Sequence, residues 1–233
     1  MGTARPCDRI IVHMKTALIL PTAMGISKDE ERINQFINGF KQVTELVTKY
    51  PEFDVFVTDN TIADVADLDP RLIEAIDAIP TLKGKAFFYS NEYGKKNKGA
   101  GLIVGWKGVL KEISKDYGYV ISFEPRQKLD NYYFFEAYVA NPGSYFRVIH
   151  EKVKRLKIIP IMVHQVLTGL VCFSRNDFET YCMNTDLENM VEKKISIEDD
   201  LYQFLLKNKS NFTTVEKLGV LWHDAANNRH LLL

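Results

Sequence analysis

The chain is short of cysteine: Cys7, Cys172 and Cys182 are the three it has in 233 residues. No two of them form a C-x-x-C pair, and their odd number argues against a disulfide framework. Cys172 and Cys182 read as buried thiols of a reducing compartment, so a cytoplasmic location is expected. An excess of either charge is also missing, with 30 Lys+Arg against 30 Asp+Glu. Nucleic-acid binders carry a basic footprint, so no nucleic-acid partner is expected. No apolar run approaches the roughly 20 residues of a membrane span, which leaves room for no more than a peripheral membrane contact. The first thirteen residues have no apolar centre of the kind a signal peptide needs. They read as an extension or an expression remnant. Repeats and low-complexity linkers are absent too.

What is there is ordinary globular material, 46% hydrophobic and 26% charged. At this length a core that buries roughly 70–75% of the unfolded surface is within reach. We expect one domain over 14–233. Its pattern changes near 140, which divides it into halves at 14–140 and 141–233.

KTALILP, from 15 to 21, is a short apolar run without alternation, as a strand buried on both faces requires. Ser27 and Glu30 then read as a capping box, followed by Ile33, Phe36, Ile37, Phe40, Val43, Leu46 and Val47 at helical spacing. Further strands are expected at DVFVTDN from 54, KAFFYSN from 85 and YVISF from 119. A helix is expected from Gly99 to near Gly118. The β-α-β-β-α-β order predicts an α/β fold with a mixed, mostly parallel sheet flanked by helices. Later runs include RVIH, KIIPIMVHQV and TGLVCFSRNDFETY. A helix capped by Ser196 follows, and TVEKLGVLW reads as a final strand ending at His223-Asp224. His150 and His164 read as core or edge residues. The aromatic cluster at Tyr132, Tyr133, Phe134, Phe135 and Tyr138 reads as packing between the halves.

Open α/β sheets bind ligands beyond the carboxyl ends of their strands. Polar groups collect there: Pro21-Thr22 after the first strand, Asp59-Asn60 after the second, Asn91 and the basic EYGKKNKGAG after the third, and Glu124-Pro125-Arg126 after the fourth. Each has a plain structural alternative. Asp59 suits a turn, the lysine loop a solvated surface, and Glu124 with Arg126 an ion pair. Glu198-Asp199-Asp200 suits acids stabilised by a helix dipole, and His223 a structural histidine.

In order along the chain, Asp59, Asn97-Lys98-Gly99, Glu124-Pro125-Arg126, Thr168-Gly169 through Arg175, Glu198-Asp199-Asp200 and His223 resemble the motif series of GT-A glycosyltransferases, in particular the inverting family 2 type. The resemblance spans roughly 15–224. It implies a GT-A-like, Rossmann-like single domain, with a nucleotide-sugar-binding half at 14–140 and an acceptor-binding half at 141–233. The implied activity moves a sugar from a nucleotide-diphosphate-sugar donor to a hydroxyl of a glycan or glycolipid acceptor.

By position, Asp199 and then Asp200 would be the catalytic base. Pro21, Thr22, Asp59, Asn91, Asn97, Lys98, Gly99, Glu124, Arg126 and Gly169 would bind the donor, with Asp59 on the nucleotide base. The family's Asp-x-Asp, which holds Mn²⁺ or Mg²⁺, is here Glu124-Pro125-Arg126. Either Glu124 and His223 hold the divalent metal, or Arg126 takes over part of its charge. Two alternatives stand beside this: a nucleotidyltransferase, and a non-catalytic nucleotide- or sugar-binding domain derived from a transferase.

Overall fold

The computed structural model describes residues 14–154, 160–224 and 229–232; the 1–13 extension lies outside them. Lys15–Thr22 forms β1, with Ala17 to Leu20 fully buried. Glu30–Lys49 forms α1, which buries Ile33, Phe36, Phe40, Val43, Leu46 and Val47 along one stripe. Its cap is Asp29, which accepts from the Glu31 amide at 3.1 Å. Ser27 is displaced from that role: its hydroxyl accepts from the Asp29 amide at 3.0 Å and shapes the turn before the helix.

Phe53–Asp59 is β2 and Pro70–Asp77 is α2. The sequence reading misses α2, although Asp69 as cap and Pro70 in the first turn are standard start signals. Leu82–Phe87 is β3, Glu92–Lys96 is α3 and Lys98–Leu110 is α4, which stops well short of Gly118. Tyr117–Phe123 is β4, Lys128–Leu129 is β5, and the aromatic cluster is the helix α5, Tyr133–Ala140. Tyr145–Phe146, Val148–Lys154, Pro160–Val166 and Leu170–Ser174 are β6 to β9. Arg175–Asn184, Leu187–Glu192 and Ile197–Lys207 are α6, α7 and α8. The last expected strand is split into β10, Thr213–Thr214, and β11, Val220–Asp224; β12 is Arg229–Leu232.

The main sheet has seven strands in the order β10-β6-β9-β4-β1-β2-β3. β4, β1, β2 and β3 run parallel, and β9 pairs antiparallel with β4. Leu18 and Leu20 face α1, α2 and α5 on one side. Ala17 and Ile19 face α4, α6 and α8 on the other, where Trp106, Phe178 and Leu201 are fully buried. The chain leaves β1 toward β2 over one face and returns from β3 to β4 over the opposite face. The strand order therefore reverses between β1 and β4, the place where open α/β sheets have a crevice at the carboxyl ends of their strands.

β3 is the outer strand of this sheet. It carries exposed Lys83 and Lys85, paired with Asp54 at 3.6 Å and Asp77 at 2.7 Å. β7 and β8 form a separate two-stranded sheet. His150 and His164 are cross-strand partners there, so they are edge residues, and His164 stacks on Tyr202 of α8.

Candidate functional site

Asp59, at the end of β2, is fully buried. One oxygen accepts from Thr22 Oγ1 at 2.8 Å and the Met24 amide at 2.6 Å. The other accepts from the Thr61 amide at 2.7 Å and Thr61 Oγ1 at 2.5 Å. A carboxylate offers about four lone-pair sites, so none is left for a nucleotide base. The carboxylate ties the loop after β1 to the end of β2. Gly25 permits the approach, since a Cβ there would lie 2.3 Å from the Thr61 carbonyl oxygen. Thr22 also donates to the Thr58 carbonyl at 3.0 Å, and Pro21 lies in register with Thr58.

Asn97 caps α4 by accepting from the Ala100 amide at 3.1 Å. Its Nδ2 donates to the carbonyls of Met190 and Ile195, fixing α4 to α7 and to the loop before α8. Gly99 serves that same contact, because a Cβ would meet Ile197 Cβ at 2.7 Å. The lysine loop is turned to its own surroundings. Lys95 reaches Tyr89 and Glu92, and Lys98 is exposed. Lys96 lines a groove of about 370 Å³ with Glu92, Glu188 and Glu192, which does not suit an anion. Asn91 precedes α3 without capping it through its side chain.

The crevice between β1 and β4 is different in character. Glu124 and Arg126 bond each other there, both about one-third exposed. The Glu124 amide donates to the Gly169 carbonyl at 3.0 Å, which brings the β8–β9 turn alongside. Gly169 packs so closely on Gln127 that a Cβ would lie 2.5 Å from its Nε2. Across the crevice, Arg32 of α1 donates to the Ala23 carbonyl at 3.0 Å. The guanidinium carbons of Arg32 and Arg126 both lie 5.6 Å from the Phe36 ring centre. Burial, and then the positive charge of Arg126, hold Arg32 below its ordinary pKa. Arg32 Nε and Gln127 Oε1 are buried without a hydrogen-bond partner among the described residues. In the sequence Arg32 has no distinguishing signal, since it looks like one more polar residue of an amphipathic helix.

The start of α8 meets the same turn. Thr168 donates to Glu198 Oε1 at 3.0 Å. Asp199, the first-choice base, accepts from Gln165 Nε2 at 3.1 Å and Ser196 Oγ at 2.9 Å. Asp200 points the other way, accepting from Tyr181 OH at 3.0 Å. Burial raises its pKa, partly offset by that hydrogen bond. Arg175 lies at the opposite end of β9, bonded to Glu179 and the Ile113 carbonyl, away from the crevice.

The described residues fit a divalent metal poorly. No group of three His, Cys, Asp or Glu side chains gathers among them. A hard cation takes six or more oxygens, whereas Asp59 is saturated and Glu124 is engaged by Arg126. The side chain of His223 lies outside the described residues. Among these, no helix is long and apolar enough to cross a membrane.

No protein-family model and no curated protein matches the chain. Among solved structures it is similar to a cytidylyltransferase from Leptospira borgpetersenii serovar Hardjo-bovis, with 12% identity and a TM-score of 0.51 over 95% of this chain and 82% of that one. CTP:phosphocholine cytidylyltransferase from Streptococcus pneumoniae matches with 11% identity and a TM-score of 0.48 over 92% and 96% of the two chains. The galactosyltransferase LgtC, solved with donor and acceptor sugar analogues, matches with 8% identity and a TM-score of 0.49 over 85% and 73%. At such identities the likeness speaks of architecture alone. The fold is an α/β domain with a mixed, mostly parallel seven-stranded sheet flanked by helices, an architecture shared with the cytidylyltransferase.

Proposed function

We propose that the protein is a transferase that takes a nucleoside-diphosphate-sugar donor at the β1/β4 crevice and passes the sugar to an acceptor hydroxyl. The observation that carries this is the meeting of opposite chemistries at one switch point. Arg126 and Arg32 stand over the ends of β4 and β1, and the Glu198 carboxylate of α8 reaches the turn that abuts Glu124. In such a transfer a base takes the proton of the acceptor hydroxyl, whose oxygen attacks the anomeric carbon. The bond from that carbon to the diphosphate breaks, and the positive side chains stabilise the departing charge.

Of the three acids we assign the base to Glu198. It holds a single hydrogen bond, to the β8–β9 turn, whereas both oxygens of Asp199 are engaged and Asp200 faces the core. Donors, acceptors and products can be screened by mass spectrometry against a panel of nucleotide-sugars and simple glycans or glycolipids. With the donor found, Glu198→Gln should lower turnover by about 10²–10⁴-fold with donor affinity kept, the usual worth of a general base. Full turnover in Glu198→Gln, with loss in Asp199→Asn, would return the role to Asp199.

A second reading is nucleotidyl transfer, favoured by the fold shared with a cytidylyltransferase. The end of β1 and the loop after it, Pro21 to Gly25, carry no charged residue, which disfavours it, but Arg32 brings a guanidinium to that loop at Ala23. Pyrophosphate release from a nucleoside triphosphate and a phosphorylated alcohol would identify this activity; sugar transfer without it would exclude it.

A further inference from the structure

Two like-charged guanidiniums share the β1/β4 crevice. Arg126 and Arg32 lie at equal distance from one aromatic ring, close enough for Arg126 to depress the pKa of Arg32. Arg32 is partly buried, and one of its five donors, Nε, has no partner among the described residues. Buried donors are nearly always satisfied, so an orphan at a strand-end crevice needs an explanation. Glu124 neutralises Arg126 in a direct bond. The other acids that act on Arg32 are Asp59 and Asp29; Asp59 spends its oxygens on the chain itself, and Asp29 caps α1. Among the described residues only Arg126 is held by a direct bond to a carboxylate, whereas Arg32 has none, and the two guanidiniums meet between elements that follow β1 and β4.

We infer that Arg32 and Arg126 form a two-sided clamp for a phosphate or diphosphate group, and that this clamp works without a metal ion. Arg32 approaches from α1 and Arg126 from the turn after β4, so the anion sits across the point where strand order reverses. A guanidinium fork matches two phosphate oxygens at once, and two forks neutralise the charge that a divalent cation otherwise would. Phe36 gives both side chains a common apolar backing, which limits the freedom they lose on binding. Glu124 holds Arg126 in place until the anion arrives. The inference rests on the proposed use of a phosphate-bearing donor for its biological meaning, but the clamp itself is testable without any nucleotide.

The probe is inorganic pyrophosphate, titrated calorimetrically into the whole protein in EDTA. Binding is expected, weakening steeply with salt. Arg126→Gln should weaken it by about 10- to 100-fold, the range for a charged hydrogen bond. Arg32→Lys should weaken it too, although the charge is kept, because a lysine lacks the fork. Urea midpoints equal to wild type establish that both variants are folded. If Arg32→Lys is unstable, Arg126→Gln alone decides. No pyrophosphate binding, binding that requires added Mg²⁺ or Mn²⁺, or binding indifferent to Arg126→Gln would each overturn the clamp. If pyrophosphate binds through both arginines while no nucleotide or nucleotide-sugar does, the clamp stands and the proposed donor falls.

Discussion

Asp59 and Asp200 show how one residue type takes opposite roles according to what surrounds it. Four donors converge on Asp59, two of them backbone amides, so its charge is compensated where it is buried. Asp59→Ala should destabilise the protein by roughly 3 kcal/mol, since several buried donors lose a charged acceptor at once. Urea unfolding measures this, and a small loss would mean that the loop after β1 is not held by this carboxylate. Asp200 has one protein donor, Tyr181, and burial raises its pKa. For an acid whose folded pKa is raised, the associated stability is complete below the unfolded value near 3.8 and is lost as pH rises through the folded value. The advantage of Asp200→Asn over wild type should therefore be greatest at neutral pH and shrink as pH falls toward 4, read from thermal melts across that range. Turnover should survive the change. Asp59 was legible as a special strand-end residue, and so were the acids of α8. Which way each acid points was not, because that depends on Gln165, Thr168 and Tyr181, partners 19 to 34 residues away in the chain.

At the scale of elements, α1 does more than cover the sheet. Gln42 on its inner side donates to the carbonyls of Pro125 at 3.0 Å and Gln127 at 2.5 Å, and accepts from the Leu129 amide at 2.9 Å. Gly39 one turn earlier lets the Pro125 carbonyl come so near that a Cβ would be 2.0 Å from its oxygen. The helix thereby holds the turn that carries Glu124 and Arg126. Gly39→Ala should push that turn away, costing about 1–3 kcal/mol as an overpacked contact. It should also weaken pyrophosphate binding, although Gly39 touches no ligand. Unchanged affinity in a destabilised variant would show that the turn's position is irrelevant to the anion. The long, strongly periodic α1 was plain in the sequence. The shorter α2 is faint in the sequence despite Asp69-Pro70, because eight residues give few repeats of the helical period. The final strand was overread, since the positive φ of Gly219 interrupts the run before Val220.

For the whole molecule, the parallel sheet followed from the alternation of strands and helices, but the place where its order reverses did not. β1 lies between β2 and β4, and β9 joins antiparallel beside β4. These are long-range pairings that no local pattern encodes, and they alone bring Arg32 and Arg126 to one crevice. The same order leaves β3 outermost among the described residues, with a row of backbone donors and acceptors facing outward. An open row of this kind is a template on which another chain can add a strand, and charged lysines are a common guard against it. Lys83 and Lys85 stand on that strand as Leu82-Lys83-Gly84-Lys85, each steadied by an aspartate from a neighbouring element. With zero net charge, the protein gains no general repulsion between copies at neutral pH. Colloidal stability near pH 7 then depends on local gatekeepers. Lys83→Val with Lys85→Val should leave the monomer folded yet raise light scattering on concentration, whereas the same double change on the exposed face of α1 should not. In a protein whose overall charge cancels, the lysines of β3 are then the local guard against edge-to-edge pairing of copies.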